Sequence, residues 1–385
     1  MATPYVAGSV ALYLQAKGKG ADIQLVKELF QNTARPTTEV GNDKRISSVA
    51  RQGAGMLNAE RAIFGTTHVS PSRLSLNDTA NDRSARHTRP ISQTITITNR
   101  GPARRTYVLS HMPAVSVRGI GANGVALLEP EMRDASAEVQ FQSERIEVAA
   151  GKSQMVRIRI TPPASLSASE HWVYSGYIVA KPETIGRKRD ARSLDEKAER
   201  AAKDEKHRDH VSDVDTVHVP YLGVKGRLQD LHVISSSYSP PMLINLRTRE
   251  IIGSRDQTAT YTVVDNDYPV VAFRAEFPTR RLRTRIYNAE TGQAVGQIPG
   301  SANDWLGRND ESENNKLSFF VWKGDKATFE DQQRIELLEN GRYYFDLTAL
   351  RPFGNANNPR DYDVWRSPTI TFKRPTNAPV AESSP

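Results

Sequence analysis

"QTITITNRGPARRTYVL", residues 93–109, is the stretch that sets the architecture. Ile95 and Ile97 alternate with threonines, Asn99-Arg100-Gly101-Pro102 has turn chemistry, and alternation resumes at Tyr107 and Leu109. Side chains two apart share one face of a strand, so the pattern predicts a β-hairpin. The same period recurs in "QMVRIRITPP", where Val156, Ile158 and Ile160 share a face and arginines occupy the other. "VYSGYIVA" and "TVHVPYLGV" read as two further strands. Short strands and turns over this span predict an antiparallel β-sandwich.

Between those last two strands lies a charged insert, residues 186–210, with nine basic and seven acidic residues among 25. It cannot bury enough apolar surface to form core, so an exposed insert is expected. The pair Lys188-Arg189 within it is a candidate protease-sensitive site. Beyond Leu231, runs such as "TATYTVVDND", "YPVVAFRAEF", "GRYYFDLTAL" and "SPTITFKR" again alternate, with "NAETG" as a hairpin loop. They predict a second sandwich. A Pro- and Ser-rich tail follows, expected to be disordered.

Upstream, the chain is helical in pattern. Thr3-Pro4 starts a run to about Lys17 whose apolar residues fall on every face, the mark of a helix buried on all sides. The walls around such a helix are not in this sequence, which implies that something before it is missing. A second helix is predicted from an Asp22 cap to about Thr33, with Val26 and Phe30 in helical spacing. A polar loop then leads to "QGAGMLNAERAI", where Gly53 and Gly55 allow close backbone contact before a short helix at 59–64. The expected fold class is therefore mainly β: a short α-helical segment followed by two antiparallel β-sandwiches. The expected domains are 1–66, 67–228 with the insert, 229–375, and the tail 376–385.

Composition bounds the function. The chain has 385 residues, no cysteine and a formal charge of +8, and its mean hydropathy is −0.56. No apolar stretch is long enough to span a bilayer, and no signal-peptide pattern opens the chain. Basic residues are scattered among 44 acidic ones, without a stripe or motif for nucleic acid. No cofactor and no metal site is expected.

"MATPYVAG" resembles the segment after the nucleophilic serine of subtilisin-like serine proteases, Gly-Thr-Ser-Met-Ala-Thr-Pro-His-Val-Ala-Gly. Ala2, Thr3, Pro4, Val6, Ala7 and Gly8 carry the match, with Tyr5 where histidine is commonest. "QGAGMLNAERAI", about fifty residues on, resembles the element that closes the catalytic domain of that family. "SPSRLSLND", "YSGYIVA" and "VHVPYLGVKG" are similar to the fibronectin-III-like sandwich of larger secreted members. "LENGRYYFDLTALRPFGN" and "DVWRSPTITF" are similar to their further Ig-like module.

The resemblance implies that residues 1–66 are the C-terminal remnant of an α/β catalytic domain. The catalytic serine would stand immediately before Met1, and the aspartate and histidine motifs further upstream, so no catalytic residue is expected in this chain. It also implies an extracellular location, a protein or peptide substrate for the whole enzyme, and the upstream part of the catalytic domain as partner. The competing expectation is a non-catalytic binding or adhesion protein. Isolated from those walls, residues 1–66 are expected to be loosely held while the sandwiches fold alone.

Several residues of chemically capable types read as structural. His68 in "GTTHVS" resembles part of the family's histidine motif but lacks its first histidine, so a linker role is expected. Thr3 reads as helping to bond the helix start and Ser9 as a small packing residue. His207, His210 and His218 are too loosely placed for a metal. The carboxylate-rich "GRNDESENN" at 307–315 lacks the ordered ligand spacing of a calcium loop. Asn77-Asp78-Thr79 is an N-glycosylation sequon on an expected loop, usable in a secreted chain.

Overall fold

The computed structural model describes residues 2–82, 87–121, 124–183, 214–234, 241–254, 256–310, 315–329 and 333–375. The insert 186–210 with Lys188-Arg189, His207 and His210, and the tail 376–385, lie outside these residues. The chain is mainly β and divides into two compact units, 1–118 with 131–227 and 119–130 with 228–385.

In the first unit, one antiparallel sheet runs Thr67–Ser70, Ile91–Asn99, Ser153–Thr161, Glu138–Phe141. The other runs Arg145–Val148, Arg105–Pro113, Val173–Pro182, Val217–Val224, Leu74–Asp78, its last pair parallel. Their facing residues form one core. Ile95, Ile97, Val156, Ile158 and Ile160 from the first sheet meet Tyr107, Leu109, Ile178 and Val219 from the second. Alternation works as predicted here: Val156, Ile158 and Ile160 are buried and Arg157 and Arg159 exposed.

The predicted hairpin is not one. Ile91–Asn99 pairs with Ser153–Thr161 and Thr67–Ser70, whereas Arg105–Pro113 pairs with Arg145–Val148 and Val173–Pro182. The turn is an arch that carries the chain from one sheet to the other. Asn99, fully buried, pins it. Its amide donates to the carbonyls of Ala103 and Val148, and its Oδ1 accepts from Gly101 N–H.

Two glycines shape the second sheet. In register, Gly176 faces Tyr221 and Gly223 faces Tyr174. A Cβ on Gly176 would lie 2.7 Å from the Tyr221 hydroxyl, and one on Gly223 2.5 Å from the Tyr174 ring. Each glycine is thus a socket for a fully buried tyrosine, the close approach that strand glycines serve. The Tyr221 hydroxyl meets His111 Nε2 at 2.8 Å, and burial lowers the His111 imidazole to about 4.

Four helices precede the strands of the sandwich: α1 (Ala2–Lys17), α2 (Ile23–Thr33), α3 (Val49–Gln52) and α4 (Ala59–Phe64). Asp22 caps α2 as predicted, accepting from Gln24 N–H. The expected polar loop instead forms a ribbon, Thr38–Glu39 with Asn42–Ile46, and α3, capped by Ser48. Gly55, at φ 112°, has room for no side chain because the Arg35 carbonyl sits against it.

The second unit also packs two sheets across a core. One runs Ile251–Ile252, Met242–Asn245, Pro269–Phe273, Ser318–Val321. The other runs Thr258–Tyr261, Thr369–Phe372, Gly341–Leu350, Leu282–Asn288, Ala294–Gly296, with Tyr362–Arg366 also on Gly341–Leu350. Trp322 fills the centre, its ring edge-to-face with Phe345 and Phe372 at 5.5 and 4.9 Å. "NAETG" makes the predicted hairpin loop: Asn288 Oδ1 accepts from Glu290 and Thr291, and Gly292 takes φ 67°.

Candidate functional site

The helical segment carries a groove that the described residues do not fill. On α1, Val6, Val10 and Leu14 recur every four residues and so share one side of the helix. Across from them stand Ile23, Val26 and Phe30 of α2, with Ala54, Gly55 and Leu57 closing the end, around a volume of about 500 Å³. Ile23 is 85% exposed and Val6 43%. α1 was expected to be buried on every side; it buries only Ser9 and Tyr13. Tyr13 packs on Phe30 at 6.0 Å between ring centres, and Ser9 Oγ donates to the Tyr5 carbonyl. Ala2, Thr3, Pro4, Val6, Ala7 and Gly8 lie in the first two turns and are all exposed. A methyl added to Gly8 would meet nothing within 4 Å.

The rest of the segment is bound to the sandwich by polar contacts. From α2, Glu28 meets His68 Nε2 at 2.7 Å and accepts from Ser70 Oγ, while Asn32 Oδ1 accepts from Val69 N–H at 2.8 Å. Ser48 and Ser175 share a hydrogen bond, and the Tyr177 hydroxyl donates to the Gly53 carbonyl. Arg61 of α4 is 2% exposed and donates to the Thr216 carbonyl. Asp215 then gathers Thr66 N–H, the Thr66 hydroxyl and Arg105. Loose attachment, expected for all of 1–66, fits α1 alone.

No acid–base–nucleophile chain emerges among the described residues. His68 and Ser70 both turn to Glu28 rather than to each other. Burial pushes the Glu28 carboxyl up, but hydrogen bonds from Gln24, His68 and Ser70 and the His68 charge outweigh it and hold it below 4.5. Thr3 is exposed in the first turn of α1. His218 is buried in Val217–Val224, edge-on to Tyr177 at 6.4 Å. In the 307–315 loop, Asn309 is buried and structural: its Oδ1 accepts from Ala275 N–H and its amide reaches Asn315 and Ser318. Residues 311–314 lie outside the described set, and the described residues hold no metal-type cluster. Asn77 is exposed at φ 55°, and it stands near the end of the strand Leu74–Asp78 rather than on the expected loop; the Thr79 hydroxyl of its sequon accepts from Gly226 N–H.

The role of Glu28 was missed from sequence, because a lone glutamate on a helix gives no sign of the strand it will meet. No helix among the described residues is long and apolar enough to cross a membrane.

Residues 75–184 match the family model of the Fn3-like domain. Over 152 residues, 38% of this chain, the sequence is 28% identical to the minor extracellular protease Vpr of Bacillus subtilis (strain 168). The match spans 17% of that protein's length. Among solved structures, the chain is similar to a PapD-like domain of human CEP192, with 11% identity and a TM-score of 0.27 over 42% of this chain and 85% of that one. It is likewise similar to the class 5 fimbriae chaperone CfaA, with 6% identity and a TM-score of 0.27 over 78% and 98%. The first unit of this chain thus contains a Fn3-like domain.

Proposed function

We propose that this chain is the C-terminal part of a secreted subtilisin-like serine endopeptidase, with residues 1–66 closing its catalytic domain. The observation that carries this reading is the open groove beside the helix that bears the Ala2–Gly8 motif. An upstream catalytic body would cover it. If that removes ~300 Å² of apolar surface from water, the gain is roughly 7 kcal/mol, enough to hold α1 firmly. The likeness to an extracellular protease over 152 residues supports the same assignment. In the assembled enzyme α1 would aim a serine just ahead of Met1 at the substrate carbonyl, its positive end favouring the developing oxyanion. By itself this chain then cleaves no peptide bond, because nucleophile and base act as a unit.

The coding sequence in frame upstream of Met1 tests this. It is expected to encode Gly-Thr-Ser, with histidine and aspartate motifs further back, and the protein made from it should label at that serine with a fluorophosphonate. A stop codon immediately upstream would overturn the proposal. A second reading, a non-catalytic binding protein, draws support from the outer face of the second unit.

A further inference from the structure

That face carries planar and cationic groups in an ordered array. Tyr287 and Tyr344 are opposite one another in register and stack with their rings 13° from parallel, 5.0 Å between centres. The Arg366 guanidinium lies 4.7 Å from the Tyr344 ring centre and grips Asp346 through two hydrogen bonds of 2.8 and 2.9 Å. Asp346 is thereby neutralised. Of the other arginines of the face, Arg283 is paired with Asp304 at 2.8 Å, whereas Arg285 and Arg342 are exposed and have no carboxylate partner among the described residues. Arg285 rests 5.0 Å over the Phe329 ring, which limits the freedom it would lose on binding a ligand.

The sheet extends this surface with hydroxyls. Thr260, Thr371 and Arg342 fall in one row across three strands. Neighbouring strands lie about 4.8 Å apart, a step comparable to one sugar residue. Guanidinium forks match carboxylate and sulfate oxygens, and threonine hydroxyls donate and accept as sugar hydroxyls require.

We propose that this sheet face binds an acidic polysaccharide, a chain of uronate or sulfated sugars, with Arg285 and Arg342 as its anion contacts and the Tyr287–Tyr344–Arg366 stack as a rigid platform. Charge complementarity selects the anion. The setting selects a glycan over an acidic peptide: peptides add to sheets through unpaired edges, whereas Arg285, Arg342, Tyr287 and Tyr344 project from strands paired on both sides. The assignment does not depend on the protease reading.

The test is retention of the full chain on immobilised heparin and on polygalacturonate, with dextran as the neutral control and poly-aspartate as competitor. The chain is expected to bind both acidic glycans in about 0.1 M salt, where unspecific surface charge is already screened. Replacing Arg285→Ser and Arg342→Ser together should weaken binding by about tenfold or more for each arginine. The pair Arg157→Ser and Arg159→Ser removes the same charge from an exposed strand of the first unit and should leave binding unchanged. Equal loss in both variants, failure of the unaltered chain to bind, or tighter binding of poly-aspartate than of either glycan would each overturn the proposal.

Discussion

At the scale of single residues, the contacts that matter most are polar groups whose importance comes from where they are buried. Glu28 shows this. Burial raises its carboxyl and four favourable interactions lower it further, leaving it below the ordinary 4.5. A carboxylate depressed in the folded state contributes stability that is complete above its unfolded value and is lost as pH falls through the folded one. The contact of α2 with Thr67–Ser70 should therefore weaken as the medium is acidified below pH 4.5. Thermal unfolding between pH 6 and pH 3 checks it. Glu28→Gln should unfold at lower temperature at pH 6 and lose less on acidification than the unaltered chain. Parallel curves for the two proteins would remove Glu28 from the account. Asn99 teaches a different lesson. In sequence it marked a turn, and it does sit in one, yet its amide serves two carbonyls that no local pattern could reveal.

At the scale of elements, the sequence was legible wherever one element decides its own form. The Asp22 cap, the 59–64 helix, the Asn288–Gly292 turn and the alternation of Val156, Ile158 and Ile160 all depend on neighbours within a few residues. What failed was pairing. A hairpin and an arch present the same alternating strands and the same turn residues, because in both the apolar face looks into the core. Only distant partners, Ser153–Thr161 for one strand and Val173–Pro182 for the other, separate the two cases. The open groove was half legible. Apolar residues all round α1 predict a surface that packs against other elements, but nothing local shows that α2 stands opposite it. The helices should differ sharply in dynamics for the same reason. α1 buries two side chains, whereas α2 buries six and is tied to the sandwich through Glu28, Asn32 and Gln31. Amides of residues 6–14 are expected to exchange at rates near those of an isolated helix, while those of 27–33 are protected as strongly as Ile91–Asn99. Equal protection of both helices in this chain would mean that α1 is held by something other than the contacts described.

At the scale of the whole molecule, the first unit joins what sequence texture separates. The helical segment ends in Arg61 and Thr66, and both reach groups that belong to the strand Val217–Val224 or its approach. Asp215 is the junction. It is 3% exposed and takes three hydrogen bonds, two from Thr66 and one from Arg105. Removing it strands a mostly buried guanidinium and an amide without their acceptor. Losing one partner of a buried ion pair costs about 3 kcal/mol, the low end of the usual range because Arg105 keeps some access to water. Asp215→Ala should accordingly lower the stability of helices α2–α4 and of both sheets together. In amide exchange, probes in α2 and in Ile91–Asn99 should lose protection by the same factor. If α2 were merely perched on the sandwich, the variant would release the helix and leave the strand amides as slow as before. A common loss instead makes the Fn3-like sandwich the platform on which the helical segment is built. In the proposed protease, the sandwich would then set the position of the groove wall, and through it of α1, without touching the substrate.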